Sequence, residues 1–411
     1  MVFRSRQHSR TVALSVKAGS ISVAIDEGHV TAWDLGGRLY SAFRHGRTWR
    51  RGLSGRVLHK WRDPSASPEA LGPYDERQRV FVAQNEADRL IDEAAALARK
   101  TRDHLAAHRG DWRSDTGDAP GDAAVGALDA CAAFDSTRAR KDAARFRQVY
   151  DGIGILPPDQ YMSVVLQATR GCSFGTCTFC DLYHDAYRVR SPGEFEDHLN
   201  RVLEYLGASL ALRDRTVFLG AANALAVPTR RLTALLGRLA SSPLARRPVH
   251  AFVDGFTGAR KSAAEYRELA ALGLRRVYIG LESGHDPLLG FVRKPGTSRE
   301  AVETARAIKD AGIAVGVIVM VGLGGKRFAE VHVSDTIAAL NRMALGAGDL
   351  LYFSDLVEVP GTEYPSAAAH AGIETLGLTE RAAQLRAIRA GLLFPGAPPR
   401  SARYDIREFV Y

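Results

Sequence analysis

Two patterns of apolar and polar positions alternate through the second half of the chain. Short, nearly continuous apolar runs are followed by longer segments in which apolar residues recur every three or four positions. The first pattern is typical of strands buried on both faces, and the second is typical of amphipathic helices. The runs predict six strands, at residues 163–169, 216–219, 249–253, 276–281, 314–321 and 350–357.

Helical segments separate most of these strands. The periodic segments predict helices at residues 192–206, 262–272, 298–311 and 330–343. Strands that alternate with helices at this spacing form a parallel sheet, because each helix returns the chain to the start of the next strand. Ligands of such sheets bind at the carboxyl ends of the strands. The loops that follow the strands are therefore the expected place for chemistry.

The flanking regions show other patterns. Short apolar runs between Gly and Asp turns predict an antiparallel meander in residues 1–61, and an apolar stripe predicts a helix within residues 78–108. Residues 109–126 are rich in Gly, Asp and Ala and are expected to form a flexible loop, whereas residues 379–390 are expected to be helical. Four parts result: a β-rich region at 1–75, a helical segment with a flexible insert at 76–145, the α/β region at 146–365 and a C-terminal extension at 366–411.

Three of the four cysteines follow the first strand of the α/β region. Cys172, Cys177 and Cys180 have the spacing C-x4-C-x2-C, and Cys131 lies far from them in the sequence. Three thiolates from one loop can bind three irons of a [4Fe–4S] cube and leave the fourth iron open to a small molecule. The place of this loop at a strand end favours catalysis over a purely structural role.

Two alternatives compete with the cluster. Together with His184, the cysteines also have the spacing C-x4-C-x2-C-x3-H, which suits a tetrahedral zinc site. Free cysteines are common in protein cores, so three unrelated buried thiols are a third interpretation. Disulfides are disfavoured, because the spacings are tight and the chain shows no route to an oxidising compartment.

Residues 158–365 resemble the core of the radical S-adenosylmethionine (radical SAM) superfamily. The family usually has the spacing C-x3-C-x2-C with an aromatic residue before the last cysteine; Phe179 takes the aromatic place, but this loop has one extra residue. Four segments are similar to family motifs that follow or form successive strands: Gly220-Ala-Ala-Asn-Ala-Leu225, Gly280-Leu-Glu-Ser-Gly284, Gly316–Gly325 and Val359-Pro-Gly-Thr362. The resemblance implies an α/β fold with a partial (β/α)6 TIM-like barrel, here with an N-terminal antiparallel β region and a helical C-terminal extension.

The resemblance also implies roles for individual residues. Cys172, Cys177 and Cys180 would bind the cluster as metal ligands and catalytic residues. The residues expected to contact S-adenosylmethionine are Phe179, Gly220, Asn223, Glu282, Ser283, Gly284, Ile318 and Gly322. A turn role for Asn223 and a helix-capping role for Ser283 are the alternatives, and Ala221 stands where the family often carries an acid.

Four further residues are candidates for contact with the substrate. Gln167, Arg188, Asp254 and Tyr352 lie along or beyond predicted strands on the cysteine side of the sheet, and Lys294 follows in the loop after the fourth strand. An exposed charged loop is the alternative for Arg188. Packing is the alternative for Tyr352, since one face of each strand must pack in the core.

Composition limits the choice of function. The chain has 46% hydrophobic and 25% charged residues, which is typical of a soluble globular protein, and no apolar run is long enough to span a bilayer. A cytoplasmic location without membrane contact is expected. The formal charge of +9 permits nucleic-acid binding, but the basic residues are spread widely and form no recognisable RNA-binding module. A small-molecule substrate is therefore favoured over nucleic acid.

The prediction is a single-cluster radical SAM enzyme. The [4Fe–4S] cluster and S-adenosylmethionine would be its cofactors, an external one-electron reductant its partner and a small or medium-sized metabolite its substrate. One cysteine outside the trio is too few for a second cysteine-bound cluster, and the usual D-x-H-x-x-G cobalamin signature is absent. The alternatives are transfer of a 3-amino-3-carboxypropyl group to a soft nucleophile, tRNA modification, a zinc-bound nucleic-acid-binding protein and a redox-sensing iron–sulfur protein.

Overall fold

The computed structural model describes residues 1–7, 10–62 and 77–411, and it contains two large sheets. The first is an antiparallel meander in which consecutive strands lie side by side, with one later strand added at its edge. Its strands are β1 Val2–Gln7, β2 Arg10–Val16, β3 Ser20–Ile25, β4 His29–Asp34, β5 Leu39–Arg44, β6 Arg47–Arg51, β7 Val57–Arg62, β8 Arg77–Phe81 and β9 Arg113–Ser114.

Three helices accompany this sheet. They are α1 Gln84–Ala107, α2 Asp122–Ala132 and α3 Ser136–Val149. The apolar stripe of α1 packs on the meander, where Leu90, Ile91 and Leu105 share a core with Leu14 and Trp33. The helix expected from residue 78 begins at Gln84, because β8 takes the preceding residues. The expected loop at 109–126 contains a short 3-10 turn, β9 and the start of α2.

The second sheet is parallel and forms the partial barrel. Its strands follow the order of the chain, so each α/β unit adds one strand to the growing edge. They are β10 Val164–Gln167, β13 Val217–Gly220, β14 Val249–Val253, β15 Leu274–Glu282, β16 Ala314–Val321, β17 Leu350–Asp355 and β18 Arg400–Tyr404. A separate two-stranded ribbon pairs β11 Thr169–Arg170 with β12 Arg188–Val189.

The α/β class and the partial barrel are confirmed, with one addition. The C-terminal extension is not only helical: β18 pairs in parallel with β17 and makes a seventh strand. Its segment is mostly polar, with Arg400, Arg403 and Tyr404, so it lacks the apolar run that marks the other strands. An edge strand needs only one paired neighbour, and a polar sequence is suited to that position.

Helices cover the barrel sheet between its strands. They are α4 Pro192–Leu206, α5 Leu210–Arg213, α6 Thr229–Ala240, α7 Gly255–Gly258, α8 Ala263–Ala271, α9 Asp286–Phe291, α10 Ser298–Asp310, α11 Gly325–Arg342, α12 Tyr364–His370 and α13 Leu378–Ala390. Capping boxes fix several starts: at α4 the Ser191 side chain accepts from the Glu194 amide, and the Glu194 side chain accepts from the Ser191 amide.

Arg38 and Tyr411 join the two sheets. Arg38 follows β4, and its guanidinium donates to Asp142 on α3 at 2.7 Å and to the Tyr205 carbonyl at the end of α4 at 2.9 Å. The Tyr411 hydroxyl donates to the Ser163 carbonyl at 2.9 Å, and the Tyr411 backbone carbonyl accepts from the Ser54 amide of the β-rich part at 3.0 Å. The β-rich part is thus packed against the first α/β unit. The predicted boundary between residues 75 and 76 lies outside the described residues, and the other domain limits stay predictions.

Among the described residues, none of the helices has the length and apolar content that a membrane span requires.

Candidate active site

The three clustered cysteines lie in a loop that leaves the carboxyl end of β10. The ribbon of β11 and β12 closes the base of this loop. Gly171 has a φ of +69°, and a β-carbon there would lie 2.2 Å from the Asp185 carbonyl oxygen. Only glycine fits where the two arms of the loop meet so closely. The loop therefore leaves the rim of the barrel and returns to it through a closed base.

Backbone contacts hold the far side of the loop against the rest of the barrel. The Thr178 amide donates to the Val292 carbonyl at 3.0 Å, and the Thr178 carbonyl accepts from the Tyr364 amide at 2.9 Å. The Thr176 hydroxyl donates to the Arg293 carbonyl at 2.9 Å. These bonds connect the loop to the segments after β15 and after β17, so three α/β units share in placing the cysteines.

Cys172, Cys177 and Cys180 all line one cavity of about 310 Å³ at the carboxyl ends of the strands. This volume lies near the lower end of the range of about 300–1,000 Å³ that is usual for small-molecule sites. Burial raises the pKa of the Cys177 thiol to about 11, although the nearby charge of Lys294 opposes the shift. The cavity therefore favours a neutral Cys177 thiol unless a metal centre stabilises its thiolate.

His184 lies apart from this cavity. Its side chain is 76% exposed, and its Nε2 atom lies 3.2 Å from an Asp181 carboxylate oxygen. Within the described part of the chain, no three His, Cys, Asp or Glu side chains are grouped so that they could hold one metal ion. In a [4Fe–4S] cube, in contrast, each thiolate binds a different iron, so the three thiolates need not surround a single metal ion.

Glu282 and Lys294 form a buried pair beside the cysteines. Lys294 Nζ lies 3.5 Å from Glu282 Oε1, and the two side chains are only 13% and 12% exposed. Burial raises the pKa of Glu282, although Lys294 pulls it down. Burial alone would lower the pKa of Lys294, but the charges of Glu282, Cys177 and Asp254 outweigh it and raise the pKa. Lys294 therefore keeps its proton.

The backbone explains why Glu282 faces the cavity. The register between β15 and β16 shifts between Gly280 and Glu282, and Glu282 has a φ of +58°, in the left-handed region. Bulges of this kind re-aim side chains and are common beside active sites. Gly280 provides the space, because a β-carbon there would lie 2.4 Å from Glu282 Oε1 and 3.4 Å from Lys294 Nζ.

Asn223 and Asp254 form a polar network on the neighbouring strand ends. The Asn223 amide group donates to the Ser173 hydroxyl at 3.0 Å and to an Asp254 carboxylate oxygen. Asp254 also caps α7 by accepting from the Thr257 amide at 2.8 Å. Ser173 belongs to the cysteine loop, so this network connects that loop to the ends of β13 and β14.

The rest of the cavity wall is largely apolar. Its apolar and aromatic members come from the cysteine loop, from three barrel strands and from segments at both ends of the α/β region. They include Ile155, Phe174, Phe179, Leu182, Tyr183, Phe252, Val253, Ile318, Met320, Val359, Tyr404 and Ile406. The structure therefore brings together Phe179, Asn223, Glu282, Ile318 and Asp254 of the expected residues with the three cysteines.

Some of the other expected residues form hydrogen bonds or ion pairs within the fold and do not line the cavity. Gln167 is 1% exposed, and its side chain donates to the Asp151 and Gly152 carbonyls at 2.8 and 3.0 Å. Arg188 is exposed and pairs with Glu194. The Tyr352 hydroxyl donates to Asp159 at 2.8 Å. Since Asp159 precedes the first barrel strand, this hydroxyl faces the end of the barrel opposite the cysteines.

The expected glycine contacts and Ser283 also lie outside the cavity wall. Ser283 is fully buried, where its hydroxyl lies 2.8 Å from His332 Nδ1. A β-carbon at Gly284 would lie 2.2 Å from the Asp335 carbonyl oxygen on α11, so this glycine permits close helix packing. Gly322 faces Arg381, and Gly220 faces Val165. Their assignment to the cofactor stays a prediction.

Sequence reasoning missed Ile155, Tyr404 and Ile406 as cavity residues. Tyr404 and Ile406 lie on β18 and in the 3-10 turn that follows it, more than two hundred residues after the cysteine loop. A seventh strand brings them beside the barrel mouth, and no motif marks them. Cys131, in contrast, does not line this cavity. It is fully buried on α2 in the core of the β-rich part. It therefore cannot present a nucleophile to this cavity.

Comparison with known families finds a match for the central part of the chain. Residues 166–334 match the family model of the Radical SAM superfamily. The chain thus contains a radical SAM domain, which supports an enzymatic role. No curated protein matches the sequence.

Three solved structures illustrate the similarity of fold. The cobalamin-dependent S-adenosylmethionine radical enzyme OxsB is 14% identical over 63% of this chain and 33% of its own, with a TM-score of 0.39. The radical S-adenosylmethionine methyltransferase TsrM from Kitasatospora setae is 20% identical over 52% of this chain and 41% of its own, with a TM-score of 0.40. Coproporphyrinogen III oxidase (HemN) from Escherichia coli is 12% identical over 60% and 54%, with a TM-score of 0.42. This chain covers about a third of the length of OxsB.

The residues of the cavity fit the cofactors that the family implies. Three thiols from one loop stand at one wall, and a carboxylate held by a buried ammonium group stands at another. Thiolates are the usual ligands of iron–sulfur clusters, and carboxylate oxygens accept hydrogen bonds from hydroxyl or ammonium groups. The donor set therefore suits a cluster and a polar organic cofactor in one cavity.

Proposed function

We propose that this protein binds one [4Fe–4S] cluster through Cys172, Cys177 and Cys180 and uses S-adenosylmethionine to generate a carbon radical on a small, largely apolar substrate. One observation carries the proposal: the three thiols, the Glu282–Lys294 pair and an apolar wall line the same cavity at the carboxyl ends of the strands. When bound, S-adenosylmethionine and the reduced cluster supply the radical chemistry, and the protein supplies orientation and exclusion of water.

The polar residues would orient the cofactor. Glu282 can accept hydrogen bonds from hydroxyl groups, since Lys294 holds its carboxylate in place from the opposite side. The Asn223 and Asp254 oxygens can accept from an ammonium group, and their network fixes both side chains. Because Asn223 also donates to Ser173, the orientation of this network is coupled to the position of the cysteine loop.

The apolar wall supports the choice of substrate class. Phe252, Met320, Tyr404 and Ile406 line the cavity together with the cysteines, and these residues offer few polar groups. A substrate with a large apolar surface would displace water from this wall, and a dry site protects a carbon radical from side reactions. Two of these residues, Tyr404 and Ile406, lie outside the segment that matches the family model.

The test is anaerobic reconstitution of the full chain with iron and sulfide. The variant with Cys172, Cys177 and Cys180 all changed to Ala should lose bound iron, sulfide and visible absorbance, whereas Cys131→Ala should keep them. After reduction with dithionite, the wild-type enzyme should convert S-adenosylmethionine to 5′-deoxyadenosine and methionine. A triple variant that still forms a cube would disprove the ligand assignment. Release of 5′-methylthioadenosine only by the cluster-loaded enzyme would instead indicate 3-amino-3-carboxypropyl transfer.

A further inference from the structure

A second cavity lies far from the cysteines, in the β-rich part of the protein. It has a volume of about 400 Å³ and lies between the adjoining ends of β6, β7 and β8 and the helices α1 and α3. Its apolar surface comes from Val57, Phe81, Ile91 and small alanines of the two helices. Cavities with apolar walls and a few charged groups are typical binding sites for small molecules.

Four arginines line this cavity, and no described Asp or Glu does. Arg51 lies at its buried end, with a side chain that is only 1% exposed. Its Nε atom is buried without a hydrogen-bond partner among the described residues. A buried donor without a partner is costly, and an acceptor from a ligand in this cavity would satisfy it.

The charge of Arg51 is incompletely balanced within the protein. Its Nη2 atom lies 3.7 Å from Asp142, but this carboxylate already accepts from Arg38 at 2.7 Å. Arg51 also donates to the Ala139 carbonyl at 3.3 Å, and its guanidinium lies over the Phe134 ring, 5.3 Å from the centroid. Burial lowers the pKa of Arg51, and the attraction of Asp142 does not offset this effect. An anion in the cavity would remove the imbalance.

The exposed arginines extend the positive charge toward the mouth. Arg56 stacks on the Phe81 ring, with its guanidinium carbon 3.5 Å from the ring centroid, and forms no ion pair with another described residue. Arg147 has neither an ion pair nor a side-chain hydrogen bond within the described ranges. Arg140 is the exception, since it pairs with Asp88 at 2.7 Å. Two guanidinium groups near the mouth are thus free to bind an acceptor.

We propose that this cavity binds a small organic phosphate with an apolar portion. Guanidinium groups bind phosphate oxygens in a bidentate geometry, and Arg51, Arg56 and Arg147 have unused donors. The apolar portion would contact Val57, Phe81 and Ile91, which a bare inorganic anion could not use. The site is separate from the proposed radical chemistry, and it adds a ligand-binding function to the β-rich part.

Calorimetric titration of the full chain tests the proposal with three probes. Hexyl phosphate should bind at least about tenfold more tightly than inorganic phosphate, and hexanol should not bind, because both charge and apolar contact contribute. Arg56→Gln and Arg147→Gln should each weaken the binding of hexyl phosphate by about tenfold, as expected for the loss of charged hydrogen bonds.

Arg145→Gln is the matched control. It removes an exposed arginine from the same helix, but Arg145 pairs with Glu204 and does not line the cavity. Binding should remain unchanged in this variant. Failure of hexyl phosphate to bind at about 1 mM would overturn the proposal. Equal binding by inorganic and hexyl phosphate, or equal affinity in Arg147→Gln and wild type, would overturn it as well.

Discussion

Gly280 and Glu282 lie on the same strand, and the missing side chain of Gly280 is the space that the Glu282 carboxylate occupies. A β-carbon at Gly280 would lie 2.4 Å from Glu282 Oε1, well inside van der Waals contact. The obstructing atom is the end of a flexible side chain, so the strand itself could accept a larger residue. Gly280 is therefore needed to place the Glu282 carboxylate more than to stabilise the fold.

Gly280→Ala should accordingly separate cofactor binding from stability. We expect affinity for S-adenosylmethionine to fall by about tenfold in the reconstituted enzyme, because the carboxylate must leave its place and its hydrogen bonds are lost. The free energy of unfolding should change by less than about 1 kcal/mol, since only a side-chain end has to move. Calorimetry and urea unfolding measure the two effects. Gly237→Ala, in open space on α6, is the control and should keep full cofactor affinity.

Lys294→Met should destabilise the protein by about 3 kcal/mol, because it leaves the buried Glu282 carboxylate without its counter-charge. The double variant Glu282→Gln with Lys294→Met should recover much of this loss, since no buried charge then remains unpaired. Urea unfolding of the wild type, both single variants and the double variant gives the coupling energy. Additive effects of the two substitutions would show that the pair is not a unit.

Gly284→Ala should lower the free energy of unfolding. Its β-carbon would lie 2.2 Å from the Asp335 carbonyl, and a backbone atom in a packed helix cannot move aside easily. We expect a loss of about 1–3 kcal/mol, which is typical of overpacking. Gly126→Ala is the control on α2, where nothing lies within 4 Å; it should stabilise the protein by about 0.5–1 kcal/mol. A stable Gly284→Ala variant with weakened cofactor binding would contradict the packing role.

Stability should depend on pH through His198. Burial, aided by the charges of Arg190 and Arg201, lowers the pKa of His198 to about 3, and its Nε2 atom accepts from the Gln167 amide at 3.0 Å. The unfolded chain binds a proton below about pH 6.5, whereas the folded protein resists it until about pH 3. This contribution is therefore complete above pH 6.5 and is lost as the pH falls, at about 1 kcal/mol per pH unit between pH 6 and 4.

His198→Gln should flatten this dependence, because glutamine can accept the same amide bond without titrating. The measurement is the free energy of unfolding from urea titrations between pH 7 and 4.5. His370→Gln changes an exposed histidine and should leave the slope as in the wild type. An unchanged slope in His198→Gln would show that other groups determine the acid sensitivity.

The alternation of strands and helices is readable in the sequence because buried parallel strands need apolar side chains on both faces. All six predicted strands end within two residues of the observed strands, and helix α4 has the predicted bounds. Helix α6 was missed, although its leucines recur at helical spacing. Strand β18 was missed because a polar edge strand derives its place from β17 and from the helices that precede it, not from its own residues.

Some features of the site can also be predicted from local sequence, and others cannot. The cysteine spacing is local, and so is the sequence around Glu282. In contrast, the roles of Gly284 and Tyr352 depend on partners more than fifty residues away, Asp335 and Asp159. A glycine that allows helix packing and one that makes space for a carboxylate look identical in a sequence. Only the distances to their neighbours distinguish them.

The buried contacts of Arg38 have a consequence for how the molecule comes apart. The Arg38 guanidinium donates hydrogen bonds to carbonyls at the end of α4 and to a carboxylate on α3. If the β-rich sheet separated from the first α/β unit, a charged group would lose its partner and the carbonyls at the helix end would lose their hydrogen bonds. Separation of the two parts at this contact is thus costly. The two halves should melt as one cooperative unit, and neither should behave as a detachable module.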